Sequence, residues 1–421
     1  MSQTKRVAML SYHTSPLATP GSSDAGGMNV YVSSLARALG QCGFSVDIFT
    51  RRTAPWDRVT ELSDGVRVVP VTAGPLRAID KSVLPDHIGE FVEAVARHFD
   101  REGLPDIIHA NYWMSAVAGQ NLKWRTGRPL AVTFHTLGLV KERDTAAAES
   151  AQRILAEGDI VGCADLLLAS TQQEADDLAG FYGADPGRVR VMPPGVDAQL
   201  FHPGSRQEAR RLLGLGDGPV ALFVGRIQPL KGLQLAVQGF ASAGVEGSTL
   251  VVVGGPSGPD GQRELETSID LARQLGVLDQ IDWRPPQAHE DLGVFYRAAD
   301  LCLVPSYSES FGLVALEAGA SGIPVVASAV GGLKRIIVDR ISGRLLPTRD
   351  PREWGRVIRS LFEDPAARTT LADAAWLMSS HLTWDATARR LAGSYGTVIA
   401  SDPVDCREPQ RVSAGVKEDR I

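Results

Sequence analysis

Cysteine is scarce in this chain of 421 residues, and no two of the four cysteines are spaced as a redox or zinc-binding pair. Cys42, Cys163, Cys302 and Cys406 are therefore predicted to be reduced thiols, mostly buried. No apolar run approaches the ~20 residues that a membrane-spanning helix needs, and the first residues lack the long apolar core of a secretory signal. We expect a cytoplasmic protein without a transmembrane segment.

Concentrated positive charge is also missing. The chain has 43 basic and 49 acidic residues, a formal net charge of −6, and no Lys/Arg cluster longer than a few residues. Because a nucleic-acid groove needs a basic patch or stripe, a nucleic-acid partner is not expected. Hydrophobic residues make up 44% and charged residues 22%, which is typical of a globular protein, and the length favours two domains.

Several catalytic signatures are absent as well. The chain has no G-x-G-x-x-G and no Walker-type G-x-x-x-x-G-K-[ST], which argues against dinucleotide-dependent dehydrogenases and P-loop enzymes. It also has no H-E-x-x-H, no G-x-S-x-G and no D-x-D pair. Metalloproteases, nucleophile-elbow hydrolases and enzymes that hold a diphosphate through a metal therefore lack support, and no metal site is predicted.

What the chain does contain is an alternation of short β-rich runs with helical patterns, from "RVAMLSY" to "LLLAST" and again from "PVALFVGR" to "IPVVAS". Such alternation predicts βαβ units and mostly parallel sheets, and hence two α/β domains. The Pro-Pro-Gly at 193–195 marks the predicted boundary between a first domain at 1–194 and a second at 195–383. Residues 384–400 are predicted to form an amphipathic helix, and the polar segment 401–421 is predicted to be disordered.

Three loops, at 26–29, 225–232 and 309–317, each follow a predicted strand and carry groups that suit an anion. The first has two glycines before a helix predicted over Asn29–Gly43, the second has two cations, and the third has a helix start between two glutamates. Glycines let a backbone approach an anion at the positive end of a helix, and Arg with Lys suits a diphosphate. Each loop alone is compatible with an ordinary cap or a solvated turn. All three together favour one ligand held between two domains.

Three histidines, His13, His109 and His135, stand at or just past strand ends in the first half. A single histidine in such a place is more often a hydrogen-bonded structural residue, and only His135 is favoured as functional. Arg153 and Glu157 are four residues apart, a spacing that also fits an ordinary pair on a helix surface.

The "GGMN" loop, the "GRIQPLKG" loop and the two glutamates with seven residues between them resemble the retaining GT-B glycosyltransferases of family 4, over about residues 6–400. The resemblance implies two Rossmann-like parallel-sheet domains facing a cleft, with the last helix crossing back to the first domain. It also implies transfer of a sugar from a nucleoside-diphosphate sugar. No tightly bound cofactor and no metal are expected, because two cations and a helix start stabilise the diphosphate.

By the family pattern, the second domain holds the donor. Arg226 and Lys231 would neutralise the diphosphate, Glu317 would bind the ribose hydroxyls, and Glu309 would bind a hydroxyl of the transferred sugar. Residues 283–287 would hold the nucleobase. The donor set implied by the resemblance is Gly27, Asn29, Arg226, Lys231, Glu309, Phe311, Gly312, Leu313 and Glu317. The implied catalytic set is Arg226, Lys231, Glu309 and His135, with His135 in contact with the donor sugar or phosphate.

Further motifs, among them "HTSPL", "DAGGMNVY", "HTL..VK" and "GGPSG", resemble the mycothiol-pathway branch of this family. Members of that branch move N-acetylglucosamine from its uridine diphosphate (UDP) to inositol 3-phosphate. This likeness implies that an acceptor phosphate contacts Lys81, Tyr112, Thr136 and Arg153, with His13 and Asn29 at the reaction centre. The stretches "HANYW" and "VTFHTLGLVKE" instead resemble the sucrose-phosphate-synthase side of the family.

Alternatives remain open for the acceptor and for the class of function. Inositol 3-phosphate is expected first, a hexose phosphate second, and a lipid or glycan third. A non-enzymatic sugar-phosphate binding protein would need no cations aimed at a leaving diphosphate. Small molecules are the expected partners, and the oligomeric state stays open, with a homodimer among the alternatives.

Overall fold

The structure is a computed structural model that describes residues 4–19, 21, 25–145 and 148–406. These residues form an eight-stranded and a six-stranded sheet. The strands of the first sheet are β1 (Arg6–Leu10), β2 (Ser45–Arg51), β3 (Thr60–Ser63), β4 (Val66–Val71), β5 (Ile107–Asn111), β6 (Leu130–Thr133), β7 (Leu166–Ala169) and β8 (Val189–Val191). The strands of the second sheet are β9 (Val220–Val224), β10 (Thr249–Val253), β11 (Ile281–Arg284), β12 (Leu301–Val304), β13 (Val325–Ser328) and β14 (Gly343–Leu346).

Helices fill most of the connections between these strands. In the first half they are α1 (Gly27–Gln41), α2 (Ile88–Glu102), α3 (Trp113–Thr126), α4 (Gly138–Thr145), α5 (Ala151–Cys163) and α6 (Gln172–Tyr182). In the second half they are α7 (Arg206–Leu213), α8 (Leu233–Ala243), α9 (Gly261–Gln274), α10 (Leu292–Ala298), α11 (Leu313–Ala320), α12 (Leu333–Ile336), α13 (Pro351–Glu363), α14 (Pro365–Ser379) and α15 (Trp384–Ile399). None of these helices is long and apolar enough to cross a membrane.

The order of the strands determines where each sheet can bind a ligand. The first sheet runs β3-β4-β2-β1-β5-β6-β7-β8 and the second runs β11-β10-β9-β12-β13-β14. Neighbouring strands are parallel except for the pair β3 and β4. The order reverses between β1 and β5 and again between β9 and β12, which opens a crevice at the carboxyl ends of the strands there. The prediction of two α/β domains with parallel sheets is confirmed.

Each sheet is buried on both faces, which explains the continuous apolar runs of the sequence. Successive side chains of a strand point to opposite faces. Ala8 and Leu10 of β1 accordingly pack in the apolar cluster that contains α2 and α3. Val7 and Met9 pack on the other face, in the cluster that contains α1 and α15. The second sheet is flanked in the same way by two apolar clusters.

The last described helix, α15, packs on the first sheet although it follows the second sheet in sequence. Its residues Leu391 and Tyr395 are fully buried in the same cluster as Val7 and Met9. Thr387 Oγ1 donates a hydrogen bond to the carbonyl oxygen of Pro193, 2.7 Å away. The predicted return of the final helix to the first domain is confirmed.

The expectation of four reduced cysteines was wrong for two of them. Cys163 and Cys406 form a disulfide, whereas Cys302 is a buried free thiol and Cys42 a partly buried one. The segment after α15 runs along the first domain, where the backbone N–H of Val404 donates to Asp165 Oδ1 at 2.6 Å. This return path brings together residues 243 positions apart, which no local spacing could indicate. The rest of the predicted disordered tail, 407–421, lies outside the described residues.

Substitution of Tyr395 by Phe tests how α15 is anchored. The Tyr395 hydroxyl lies 2.7 Å from His109 Nδ1, and both side chains are fully buried. Removing it leaves a buried ring nitrogen without its partner, so we expect the free energy of unfolding to fall by about 1–3 kcal/mol in urea titrations. Ser394→Ala is the matched control, because Ser394 bonds only the Arg390 carbonyl of its own helix. Equal stability of the two variants would show that the buried bond contributes nothing.

Candidate functional site

A cleft of about 550 Å³ lies where the two strand-order reversals face each other. Its walls are loops that follow the carboxyl ends of strands in both sheets, after β1, β5 and β6 on one side and after β9, β11 and β12 on the other. Of the predicted nucleobase segment 283–287, Pro286 and Gln287 line this cleft. Every residue of the predicted catalytic, donor and acceptor sets except Asn29 also lines it. They are His13, Gly27, Lys81, Tyr112, His135, Thr136, Arg153, Arg226, Lys231, Glu309, Phe311, Gly312, Leu313 and Glu317.

The two halves of the cleft approach each other closely at Gly26 and Arg226. A side-chain carbon added to Gly26 would lie 3.0 Å from Arg226 Nε, so a larger residue there would press on the guanidinium. Below this contact, Gly225 and Gly254 both have φ values in the range that favours glycine, 152° and 157°. A side-chain carbon on Gly254 would lie 1.9 Å from the Gly225 carbonyl oxygen, which no residue but glycine can tolerate. Glycine at both positions lets the two backbone segments approach each other closely where a diphosphate would lie.

Lys231 and Glu309, predicted to bind different parts of the donor, are paired with each other. Lys231 Nζ lies 2.7 Å from Glu309 Oε2, and Ser306 Oγ donates to the same carboxylate oxygen at 3.3 Å. Glu309 precedes the start of α11, where Gly312 stands at the N-cap with φ 102° and no side chain caps the first turn. The N–H groups of that turn are available to an anion.

Glu317 accepts hydrogen bonds from two residues that sequence reasoning missed. His289 Nε2 lies 2.8 Å from Glu317 Oε1, and the Tyr296 hydroxyl donates to Oε2 at 2.8 Å. Burial by itself lowers the pKa of His289, but the Glu317 carboxylate, together with Asp197 and Glu290, raises it more, so the pKa stands above its usual value. A signal for His289 existed, since it follows the carboxyl end of β11 as His13 follows that of β1.

The residues predicted to hold an acceptor phosphate surround the ring of Tyr112. Lys81 Nζ lies 4.6 Å from the ring centroid, and the guanidinium carbon of Arg153 lies 5.2 Å from it. The ring of His13 lies 4.6 Å away, centroid to centroid. Tyr112 has a φ of 75°, a strained conformation for a non-glycine residue, and such strain is typical of functional sites. Two cations and a phenol hydroxyl thus share one corner of the cleft.

Arg153 and Glu157 are a buried structural pair, so the reading as a helix-surface pair was wrong. Arg153 Nε donates to Glu157 Oε1 at 2.8 Å, and one terminal nitrogen donates to the Thr136 carbonyl oxygen at 2.8 Å. The other carboxylate oxygen of Glu157 accepts from Gly138 N at 2.8 Å and from the Tyr182 hydroxyl at 2.5 Å. The pair therefore holds the loop after β6, which carries His135 into the cleft.

His135 lies in this loop with a φ of 62°, and its side chain is neutral. Burial, with a smaller contribution from His109, lowers the pKa of His135 to about 3. Its Nε2 lies 3.0 Å from Asn111 Oδ1, and its ring centroid lies 4.8 Å from that of Tyr31, with the two rings nearly perpendicular. A neutral imidazole can exchange hydrogen bonds with a ligand but brings no charge to a phosphate.

Asn29 does not take the predicted place in the donor site. Its side chain is fully buried, where Oδ1 accepts from Gly26 N at 2.9 Å and Nδ2 donates to Thr14 Oγ1 at 2.8 Å and to the Ser15 carbonyl at 2.6 Å. Both amide hydrogens are therefore committed to the protein. The bond from Gly26 N to Asn29 Oδ1 caps the helix, so α1 begins at Gly27, two residues before the predicted start. Asn29 shapes the glycine loop instead of lining the cleft.

Two facing parallel sheets, with paired cations and carboxylates at the edge of one and an anion-binding corner at the edge of the other, define a GT-B glycosyltransferase. Comparison with known proteins identifies the family. The family model described as "Glycosyl transferase 4-like domain" matches residues 26–195, and the one described as "Glycosyl transferases group 1" matches residues 205–377.

Proteins named D-inositol 3-phosphate glycosyltransferase are similar over almost the whole chain. The one from Mycobacteroides abscessus is 44% identical over 416 residues, 97% of this chain and 92% of its own. The one from Actinosynnema mirum is 45% identical over 405 residues, 93% of this chain and 97% of its own. Among solved structures, a sucrose-phosphate synthase from Thermosynechococcus elongatus has a TM-score of 0.87 at 35% identity, covering 94% of this chain and 99% of its own. The chain belongs to the family 4 glycosyltransferases.

Replacement of His289 by Gln tests the pair with Glu317 through its pH dependence. The pKa of His289 is raised in the folded protein. The charged pair therefore contributes its full stability below the unfolded value of about 6.5 and loses it as the pH rises through the higher folded value. Urea titrations should show a stability difference between wild type and His289→Gln that shrinks with rising pH. His202→Gln, at an exposed ring bonded to its own Pro203 carbonyl, should show no such trend. A constant difference for His289→Gln would mean that the pair is not ionic.

Proposed function

We propose that this glycosyltransferase moves a sugar, with retention and without a metal, from a UDP-sugar to an inositol phosphate, with UDP-N-acetylglucosamine and inositol 3-phosphate as the substrates. One observation carries the proposal. The cleft between the two sheets has two separate cationic corners, Arg226 with Lys231 on one wall and Lys81 with Arg153 on the other. Two corners suit two anions, the diphosphate of a donor and the phosphate of an acceptor.

The donor diphosphate would lie between the Gly26–Gly27 loop, the Arg226 and Lys231 side chains and the start of α11. As the bond from sugar to phosphate breaks, negative charge grows on the departing diphosphate. Two cations and the N–H groups of a helix start would stabilise that charge in the transition state. They supply what a divalent ion supplies in other enzymes, in accord with the lack of a D-x-D motif.

Binding of the donor would exchange the partners of Lys231 and Glu309. The ammonium would turn from the Glu309 carboxylate, 2.7 Å away, to a phosphate oxygen. The freed carboxylate would accept a hydrogen bond from a hydroxyl of the transferred sugar, and Glu317, held by His289 and Tyr296, would accept from the ribose. A ligand with both a diphosphate and a sugar gives Lys231 a phosphate oxygen and Glu309 a hydroxyl, so neither charge is left without a partner.

Retention of configuration would follow from attack on the same face of the sugar as the leaving group. Among the described residues that line the cleft, the carboxylates are Glu309 and Glu317 alone. Glu317 is held by His289 and Tyr296, and Glu309 is assigned to a hydroxyl of the sugar, so neither is proposed as a nucleophile. The acceptor hydroxyl would pass its proton to the departing phosphate oxygen as the new bond forms.

On the acceptor side, the proposal rests on the corner around Tyr112 and on the relatives. Lys81 and Arg153 supply charge, and the hydroxyls of Tyr112 and Thr136 supply directed donors. The relatives at 44% and 45% identity are named for D-inositol 3-phosphate. A hexose phosphate is the second candidate, because the sucrose-phosphate synthase shares the fold closely at 35% identity.

Lys231→Ala and Glu309→Ala test the donor site. Because Lys231 is proposed to stabilise charge that develops only in the transition state, its removal should lower kcat about 100-fold, and Glu309→Ala should lower kcat/KM for the UDP-sugar strongly. Release of UDP measures both. Lys334→Ala, at an exposed lysine of α12, is the control. Wild-type rates in both cleft variants would refute the donor assignment.

A panel of acceptors tests the other corner. Purified enzyme would be assayed with inositol 3-phosphate, free inositol and hexose phosphates against several nucleotide sugars, and NMR would give the anomer formed. Lys81→Ala should raise KM for the phosphorylated acceptor about 10- to 100-fold, since a charged hydrogen bond is lost, with little effect on an unphosphorylated one. Lys5→Ala, at an exposed lysine before β1, should change neither. Equal use of free inositol would contradict a phosphate-binding corner.

A further inference from the structure

Asn111 is a buried polar residue in contact with His135 of the cleft, and the proposed chemistry does not use it. It is the last residue of β5, beside the strand-order reversal, and it is fully buried. Its Oδ1 lies 3.0 Å from Nε2 of His135, which lines the cleft. Asn111 therefore stands directly behind a residue assigned to the donor sugar.

The Asn111 amide is costly to keep in this position. Its Nδ2 is buried and has no hydrogen-bond partner among the described residues. The neighbouring His109, by contrast, is satisfied at both ring nitrogens, by Thr133 Oγ1 at 2.9 Å and by the Tyr395 hydroxyl at 2.7 Å. A buried amide that satisfies only one of its two polar atoms destabilises a fold relative to an apolar side chain of the same size. Among the described residues, the Asn111 side chain makes one hydrogen bond, to His135.

That bond determines which nitrogen of His135 carries the proton. An amide oxygen only accepts hydrogen bonds, so Nε2 must be the protonated nitrogen and Nδ1 keeps its lone pair. The ring is also fixed from its backbone, because Arg153 holds the Thr136 carbonyl oxygen and Glu157 holds Gly138 N, each at 2.8 Å. His135 is thus held at its ring by Asn111, and the backbone that follows it is held at Thr136 and Gly138.

The groups that face His135 keep it neutral. They are His109 on β5, Tyr31 on α1 and His13 after β1, and none of them is a carboxylate. Burial lowers the pKa of His135 to about 3, so the ring stays uncharged throughout the physiological range. Because Nε2 of the neutral ring donates to Asn111, Nδ1 is the one acceptor that the ring can offer to a ligand in the cleft.

We propose that Asn111 is a positioning residue that fixes the imidazole of His135 with Nε2 protonated, so that Nδ1 accepts a hydrogen bond from a hydroxyl of the donor sugar. The inference rests on the proposed function, in which His135 contacts the donor. The inference explains why His135 would select a hydroxyl of the sugar, because an unprotonated Nδ1 can accept a hydrogen bond but cannot donate one.

The protonated nitrogen can be observed directly. Long-range ¹H–¹⁵N NMR of the full chain labelled with ¹⁵N-histidine, with His135→Gln to identify the signals, reports each ring nitrogen. We expect Nε2 protonated and Nδ1 unprotonated, without titration between about pH 5.5 and 8.5. A protonated Nδ1 in the wild type overturns the proposal, whatever the substrates prove to be.

Asn111→Asp separates positioning from a merely structural role. The carboxylate still accepts from Nε2, but its charge raises the pKa of His135. As the pH falls, the ring becomes an imidazolium without an acceptor, so KM for the UDP-sugar should rise about fivefold while the wild type stays flat. Asn121→Asp makes the same chemical change on α3, where the amide bonds only the Val117 carbonyl, and should change neither KM nor the spectrum. A flat pH profile for Asn111→Asp overturns the proposal.

Asn111→Leu gives a second readout if the charged variant folds poorly. It removes the acceptor together with the unpartnered Nδ2, so Tm should stay near that of the wild type while KM for the donor rises about fivefold. Wild-type KM in this variant overturns the proposal. An unchanged donor KM in His135→Gln overturns the proposed donor contact and this inference with it, whereas a protonated Nδ1 overturns the inference alone.

Discussion

Two reversals of strand order, between β1 and β5 and between β9 and β12, are the constraint on which the rest of the protein depends. At each reversal the neighbouring connections leave in opposite directions, and the carboxyl ends of the strands open a crevice. Four functional groups of the cleft lie in the loops that follow the strands at these reversals. His13 follows β1, Tyr112 follows β5, Arg226 follows β9 and Glu309 follows β12. The crossing of α15 onto the first sheet then holds the two crevices face to face.

A cleft built to bind two anions must also remain stable when it is empty. Like charges held close together repel, and desolvation increases the cost. The protein meets this cost by pairing its cations. Glu149 and Glu157 both contact Arg153, and Glu309 contacts Lys231. The two cases differ in burial, because Glu157 is fully buried whereas the side chains of Lys231 and Glu309 are 26% and 18% exposed. Arg153 therefore keeps its carboxylate partners while it faces the acceptor corner, whereas Lys231 and Glu309 can exchange theirs.

The sequence allowed prediction of those parts of the site that a single strand and its following loop determine. The "GRIQPLKG" loop, the "GGMN" loop and the two glutamates of "ESFGLVALE" each follow a strand end, so local pattern was enough to place them in one cleft. Asn29 does not line the cleft, because the same local pattern does not show which way a side chain turns, and here it turns into its own loop. His289, Asn111 and the Cys163–Cys406 bond were missed because their partners come from other strands or from the far end of the chain.

For a donor bound as proposed, the exchange at Lys231 and Glu309 favours an intact nucleotide sugar over its product. A nucleoside diphosphate without the sugar would satisfy the ammonium of Lys231 but leave the Glu309 carboxylate with only the Ser306 hydroxyl, 3.3 Å away. The intact donor satisfies both, since a sugar hydroxyl takes the place that the ammonium leaves. Breaking a paired charge without replacing its partner costs more than exchanging one partner for another. The pair that keeps the empty cleft stable would therefore also help to release the spent nucleotide once the sugar has moved.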